Sequence, residues 1–76
     1  MKTTIYGAEW CGSCKVAKKY LEDNNVEFNY LDIETDNVSV DKLAENSGGM
    51  GLPVIQINDK FILGFDKLKI NETLGI

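Results

Sequence analysis

The sequence predicts an α/β domain in which three helices flank a four-stranded mixed sheet. Segments of strand composition and segments of helical apolar spacing follow one another in the order β-α-β-α-β-β-α. A helix separates the first two strands, so a right-handed crossover should make these strands parallel. Only Asn58-Asp59 separates the last two strands, so these should form an antiparallel hairpin.

The first strand and the first helix flank the cysteines. Residues 2–6, KTTIY, have the β-branched and aromatic composition of a strand. An amphipathic helix should begin near Cys11 and end at Asn24-Asn25, because asparagine tolerates the left-handed backbone that often ends a helix. The expected apolar stripe of this helix consists of Val16, Ala17, Tyr20 and Leu21.

Alternation and capping residues predict the middle of the chain. Residues 26–33, VEFNYLDI, indicate a second strand that is covered at least partly on both faces. Asp36 or Asn37 is expected to cap a short second helix. The apolar residues of that helix are Val40, Leu43 and Ala44. Residues 47–51, SGGMG, should form a flexible loop.

The C-terminal part is expected to contain the hairpin and a last helix. Residues 52–57, LPVIQI, and residues 60–63, KFIL, supply the two strands. Asp66 can cap the last helix, and Leu68 is its clearest inward residue. Five aromatic residues are expected in the core: Tyr6, Tyr20, Phe28, Tyr30 and Phe61.

Size and charge limit the function classes. A chain of 76 residues is expected to form one domain, residues 1–76, since so short a chain cannot build a second core. The net charge of −4 argues against binding the phosphate backbone of nucleic acids. The sequence has no apolar run of membrane-spanning length and no export signal, so we expect a cytoplasmic protein without a membrane partner. We also expect a monomer.

Cys11 and Cys14, with Gly12-Ser13 between them, lie at the predicted start of the first helix. In a reducing cytosol, such a pair is more often catalytic or metal-binding than structural. The unpaired amides of a helix start would stabilise a Cys11 thiolate, which is the nucleophilic form. Cys14, one turn later, can then attack the mixed disulfide that Cys11 forms with a substrate. The pair therefore indicates a dithiol–disulfide oxidoreductase.

Two other uses of the cysteine pair stay open. A thiolate metal carrier also places such a pair between a strand and a helix and suits Cu(I). An Fe–S cluster-binding module would take one cysteine from each of two subunits. A structural zinc site needs four ligands, which two cysteines without histidine cannot supply in a monomer, so we expect no metal site. Lys15 either supports the thiolate or is an ordinary solvated cation.

The segment Trp10-Cys11-Gly12-Ser13-Cys14-Lys15 resembles the active-site motif of the thioredoxin superfamily. The short chain and residues 64–68, GFDKL, are most similar to glutaredoxins and small glutaredoxin-like redoxins. The resemblance implies a thioredoxin fold, catalytic Cys11 and Cys14, and no bound cofactor. It further implies a cis Leu52–Pro53 peptide beside the cysteines, with the backbone of Leu52 offered to an extended substrate.

The same resemblance suggests further substrate-binding residues, each with a plainer alternative. Trp10 is either an apolar platform beside the reactive sulfur or an ordinary core or rim residue. Phe65 either lines the substrate groove or packs against the helix that follows it. Asp66 either meets the γ-glutamyl group of glutathione or only caps the last helix.

Three residue pairs differ from the pattern of glutaredoxins that use glutathione. Gly12-Ser13 replaces Pro-Tyr between the cysteines, Gly51-Leu52 replaces Thr-Val before the proline, and Leu63-Gly64 replaces Gly-Gly before the last helix. These differences resemble small redoxins that thioredoxin reductase recharges and that serve ribonucleotide reductase. The expected partners are thus a disulfide-containing protein and, as the donor, either thioredoxin reductase or glutathione.

Overall fold

The computed structural model describes residues 2–76 and confirms the predicted fold class; Met1 of the predicted 1–76 domain lies outside the described residues. The elements are β1 (Thr3–Gly7), α1 (Gly12–Asp23), β2 (Asn29–Asp32), α2 (Val40–Ser47), β3 (Val54–Ile57), β4 (Lys60–Leu63) and α3 (Lys67–Leu74). None of these helices is long and apolar enough to cross a membrane.

The sheet has the strand order β2-β1-β3-β4, which places β1 inside it. As expected, β1 and β2 are parallel and β3 and β4 form an antiparallel hairpin. Ile5 pairs with Tyr30 on one side and with Ile55 on the other. Asn58 takes a φ of 55° in the hairpin turn, a left-handed conformation that asparagine accepts more readily than most residues.

The main core lies on the face of the sheet that α1 and α3 cover. Its buried members are Ile5, Ala17, Leu21, Ile55, Ile57, Ile62 and Ile70. Neighbouring residues of a strand point to opposite faces, so Val54 points away from this core while Ile55 points into it. Val54 shares a groove with Leu43, which places α2 on the second face of the sheet. The predicted arrangement of helices on both faces is therefore confirmed.

Several predicted details are wrong. The cap of α2 is Ser39, whose Oγ accepts from the Lys42 amide at 3.4 Å, because α2 begins only at Val40. The Asp36 carboxylate instead accepts from the Asp32 amide at 2.7 Å. Leu68 is 69% exposed and Ile70 is the buried residue of α3. Val16 is 54% exposed, so the buried stripe of α1 is narrower than predicted and consists of Cys14, Ala17 and Leu21.

The second strand and the aromatic residues also differ from expectation. β2 begins only at Asn29 and lies at the edge of the sheet, so its residues are half-buried or exposed. Three predicted core aromatics pack against the main core while only partly buried, namely Tyr20, Phe28 and Tyr30. Tyr6 and Phe61 are also half-buried and lie on the α2 face, where both line one surface depression.

Candidate active site

Cys11 stands at the start of α1, where the sequence predicted it. It is the N-cap residue, and its backbone is extended, with φ −89° and ψ 107°. Its Sγ accepts a hydrogen bond from the Cys14 backbone N–H at 3.2 Å. The first turn of α1 carries no acidic residue, so no carboxylate there competes with a Cys11 thiolate for the positive end of the helix dipole. A negative charge on the Cys11 sulfur is therefore stabilised by the backbone itself.

Cys11 and Cys14 are joined as a disulfide, with their Cα atoms 5.3 Å apart. Cys14 is completely buried, whereas Cys11 keeps 7% of its surface exposed. Ala8, Ile33 and Leu52 pack around the pair. An external thiol or disulfide can therefore reach the pair only at Cys11.

The Leu52–Pro53 peptide is cis, as the resemblance implied, and it adjoins the cysteines. Leu52 packs against the cysteine pair, and Pro53 is fully buried behind it. The Pro53 carbonyl accepts from the Gly64 amide at 2.7 Å, which ties this turn to the end of β4. Among residues 2–76, no hydrogen bond uses the backbone amide or carbonyl of Leu52.

A groove of about 320 Å³ opens beside Cys11. Its lining is mainly apolar and consists of Trp10, Cys11, Ile33, Val40, Leu43, Ala44, Gly49, Met50, Gly51, Leu52 and Val54. Trp10 is 68% exposed at the rim, and its Nε1–H donates to Glu34 Oε1 at 2.6 Å. Because this bond holds the indole in place, Trp10 presents an apolar surface next to the accessible sulfur.

Charged groups surround the partly buried Tyr30 on β2. The Lys18 ammonium lies 5.4 Å from the centre of the Tyr30 ring. Burial, with added repulsion from the Asp32 and Glu9 carboxylates, raises the pKa of the Tyr30 phenol above its usual 10.0. The hydroxyl therefore keeps its proton at neutral pH and can donate a hydrogen bond.

The structure brings together only part of the predicted site. Trp10, Cys11 and Leu52 line the groove, and Pro53 follows directly. Phe65 instead packs edge-on against Tyr20, with ring centres 5.6 Å apart. The Asp66 carboxylate accepts from the Lys69 amide at 3.2 Å and so caps α3.

The other predicted site residues are placed as follows. Lys15 is exposed on α1, one residue after the buried Cys14. Neither Phe65 nor Asp66 is part of the groove lining. The part that each of these residues plays in binding stays a prediction.

Several residues around the cysteines were not predicted as part of a site. Ile33 and Glu34 follow β2, and parallel pairing with β1 brings them beside the residues that follow β1. That signal was present in the element order. Met50 gave none, because it lies in a glycine-rich loop and is 78% exposed. Tyr30 was assigned to the core because strand alternation places it on the same side as Phe28.

A metal at this site would have to be held by the two cysteine thiolates. Within residues 2–76, no group of three or more His, Cys, Asp or Glu side chains is arranged to hold a metal ion. The polar groups beside the cysteines include the Cys14 backbone amide, which donates to Cys11 Sγ, and the Tyr30 hydroxyl near Cys14. What the geometry supports is sulfur chemistry at Cys11.

Comparison with known proteins gives a consistent set of relatives. A family model described as glutaredoxin matches residues 3–62. A glutaredoxin-like 8.6 kDa protein in the rubredoxin operon of Clostridium pasteurianum is 31% identical, over 92% of this chain and 93% of its own. The glutaredoxin-like protein NrdH of Lactococcus lactis is 34% identical, over 82% of this chain and 85% of its own. The structure of NrdH-redoxin from Escherichia coli superimposes with a TM-score of 0.82 at 26% identity, covering 95% of this chain and 93% of that chain.

Proposed function

Since the chain belongs to the glutaredoxin family of thiol–disulfide oxidoreductases, we propose that it reduces protein disulfides through Cys11 and Cys14. The observation that carries the proposal is the setting of Cys11. Its Sγ caps α1, accepts the Cys14 amide at 3.2 Å and adjoins an apolar groove. A thiolate there is stabilised and accessible, which are the two properties that a nucleophilic cysteine needs.

The proposed reaction has two exchange steps. The Cys11 thiolate attacks one sulfur of the substrate disulfide, forms a mixed disulfide and expels the other substrate sulfur as a thiolate. Cys14, as a thiolate, then attacks Cys11 Sγ and expels the second substrate thiolate. The substrate gains two electrons, the protein loses two, and the Cys11–Cys14 disulfide remains.

Burial separates the roles of the two cysteines. Cys14 has no exposed surface, so a protein disulfide cannot approach it. It can reach Cys11, since their Cα atoms are only 5.3 Å apart. We therefore assign the attack on substrate to Cys11 and the release of product to Cys14.

The groove and the cis-proline turn offer the elements of peptide recognition. The Leu52 amide and carbonyl, unused within residues 2–76, can pair with an extended substrate backbone as an added strand would. An apolar substrate side chain next to the disulfide would then lie in the groove against Trp10 and Met50. The proposed substrate is a protein segment with an apolar residue beside its cysteine.

For the electron donor we propose thioredoxin reductase rather than glutathione, and for the acceptor ribonucleotide reductase. The support is the replacement of the glutathione-type residues at positions 12–13, 51–52 and 63–64, together with the similarity to NrdH proteins. Asp66, the candidate contact for the γ-glutamyl group of glutathione, lies outside the groove and caps α3. The proposal describes a cytoplasmic monomer without a bound cofactor.

A matched pair of variants tests the cysteine roles. With a protein disulfide such as insulin, Cys14→Ser should accumulate a mixed disulfide at Cys11, detected by mass spectrometry under non-reducing conditions. Cys11→Ser should trap none, because the remaining cysteine is buried. Trapping by Cys11→Ser instead would reverse the assigned roles, and trapping by neither variant would refute the exchange mechanism.

The donor is tested by following NADPH oxidation with the same disulfide. One mixture contains thioredoxin reductase, and the other contains glutathione with glutathione reductase. We expect turnover at least about tenfold faster with thioredoxin reductase, which corresponds to about 1.4 kcal/mol in the activation barrier. Faster turnover with glutathione would refute the donor assignment and leave the cysteine mechanism intact.

A further inference from the structure

The Tyr30 hydroxyl and the Cys14 sulfur face the same small space over Gly7. A methyl group added at Gly7 would overlap Tyr30 Oη and would lie 3.0 Å from both Cβ and Sγ of Cys14. Gly7 ends β1, Tyr30 belongs to the neighbouring β2, and Cys14 belongs to α1. Three elements thus converge where the glycine has no side chain, and they bring a phenol beside the buried thiol.

Tyr30 differs from the other two tyrosines in what its hydroxyl does. The Tyr6 hydroxyl donates to Gln56 Oε1 at 3.0 Å, and the Tyr20 hydroxyl donates to Asn71 Oδ1. In the oxidised protein, the Tyr30 hydroxyl makes no hydrogen bond within residues 2–76, and it is not fully buried. A disulfide sulfur is a poor acceptor, so a free donor beside Cys14 becomes useful only when the disulfide opens.

The opened disulfide places a negative charge where water does not reach. Cys14 is completely buried, and its packing partners Ala8, Ile33 and Leu52 are apolar. The Cys14 backbone amide donates to the sulfur of Cys11, so it does not stabilise the sulfur of Cys14. A thiolate in apolar surroundings without a donor is strongly disfavoured, which would slow every step in which Cys14 attacks or leaves.

We propose that Tyr30 is a positioning residue whose hydroxyl donates a hydrogen bond to the Cys14 thiolate when the Cys11–Cys14 disulfide is open. The proposal rests on the exchange mechanism above. The phenol keeps its proton throughout, so only a hydrogen bond forms and breaks. Tyr30 would assist Cys14 as attacking group in product release and as leaving group in recharging.

The groups around the phenol agree with a donor role. Burial, and after it the carboxylates of Asp32 on its own strand and Glu9 in the loop after β1, raises the pKa of Tyr30. Lys18 from α1 lies over the ring face at 5.4 Å, not at the hydroxyl. The hydroxyl is therefore neutral in the range where the exchange chemistry operates.

The direct test is the titration of Cys14 without Cys11. In a Cys11→Ser background, the ¹³Cβ shift of Cys14 is followed against pH, with and without Tyr30→Phe. A hydrogen bond to a charged group is worth about one pKa unit or more. Loss of the Tyr30 hydroxyl in Tyr30→Phe should therefore raise the Cys14 pKa by at least about one unit. Tyr20→Phe is the matched control, because it also removes one tyrosine hydroxyl and should leave the Cys14 pKa unchanged.

Equal Cys14 pKa values with and without Tyr30→Phe would overturn the proposal. This titration needs neither substrate nor electron donor, so its result is separate from that of the proposed function. If Tyr30→Phe fails to fold, the ¹³Cζ resonance of Tyr30 in the Cys11→Ser chain answers the same question. The Tyr30 ¹³Cζ chemical shift should change as Cys14 titrates. A chemical shift that stays constant through that titration would contradict the hydrogen bond.

The kinetic consequence is measured with the chromogenic disulfide DTNB on the otherwise unaltered reduced protein. Cys11 releases one equivalent of aryl thiolate, and Cys14 releases the second in an intramolecular phase. In Tyr30→Phe, the raised Cys14 pKa lowers the fraction of Cys14 present as thiolate, but each thiolate is a stronger nucleophile. The second phase should therefore slow about three- to fourfold at pH 7. The first phase should not change, and an unaltered second phase would count against the proposal.

Discussion

Gly7, the last residue of β1, shows at the scale of one residue how tightly the cysteines are packed. The space that its missing side chain leaves is filled by the Tyr30 hydroxyl and by Cys14. Gly12, between the cysteines, has the opposite surroundings, because a Cβ there would meet no atom within 4 Å. Gly7 is therefore required for close packing, whereas Gly12 lies at an open helix start where a side chain has room.

Alanine substitution separates these two glycines. Gly7→Ala should lower the free energy of unfolding by about 1–3 kcal/mol, because a crowded core has no room for a methyl group. Gly12→Ala should raise it by up to about 1 kcal/mol, because alanine restricts the unfolded chain and favours the helix. Urea denaturation of the oxidised proteins measures the free energy of unfolding of each variant. Equal values for the two variants would show that the residues around Gly7 can move to make room for a methyl group.

Helix α3 illustrates how a single element chooses its buried face. Leu68 and Ile70 are both large and apolar, and both lie in the first half of the helix. The core takes Ile70, and Leu74, one turn later, packs against the same cluster. Positions four apart share a helix face, whereas positions two apart lie on nearly opposite sides. Leu68 is therefore left 69% exposed.

The two apolar residues of α3 should respond differently to truncation. Ile70→Ala should cost about 2–4 kcal/mol, because it removes a fully buried side chain from the core. Leu68→Ala should stay within about 0.5 kcal/mol of the parent protein. Thermal and urea unfolding decide this, and a comparable loss in both variants would contradict the buried face assigned to α3.

At the scale of the whole molecule, burial contributes more to stability than charge pairing does. Twelve acidic and eight basic residues give a net charge of −4. Within residues 2–76, the one ion pair is Lys19–Asp23 at 3.6 Å, and it is largely exposed. Exposed pairs are worth at most about 1 kcal/mol. Tyr30 is one group through which pH should act on the fold, because its surroundings raise its pKa.

Stability should fall at alkaline pH, and Tyr30 should account for part of that fall. Its pKa is raised in the folded protein above the usual 10.0, so the folded state holds the phenolic proton more tightly than the unfolded state. The resulting stabilisation is fully present below pH 10 and is lost as pH rises through the folded-state pKa. As the pH rises above about 10, the free energy of unfolding should therefore drop less in Tyr30→Phe than in the parent protein.

All lysines and the other two tyrosines are common to the parent protein and Tyr30→Phe, so subtracting the two pH profiles isolates the Tyr30 contribution. Profiles that run parallel through this range would mean that Tyr30 ionises as readily in the folded chain as in the unfolded one.

Local patterns were enough to predict the element order, the Asn58-Asp59 turn and the place of Cys11 at a helix start. Periodicity, turn residues and capping act over a few neighbouring positions, so they can be read along the chain. The cis Leu52–Pro53 peptide was predicted only from the family resemblance.

Contacts between distant segments could not be predicted in the same way. The groove joins Trp10, Leu43 and Met50, and the pocket over Gly7 joins Tyr30 to Cys14. These neighbours depend on strand order and on how each helix settles against the sheet. Local preferences leave those choices open because they are too weak to set packing, which is decided by the burial of the whole apolar surface at once.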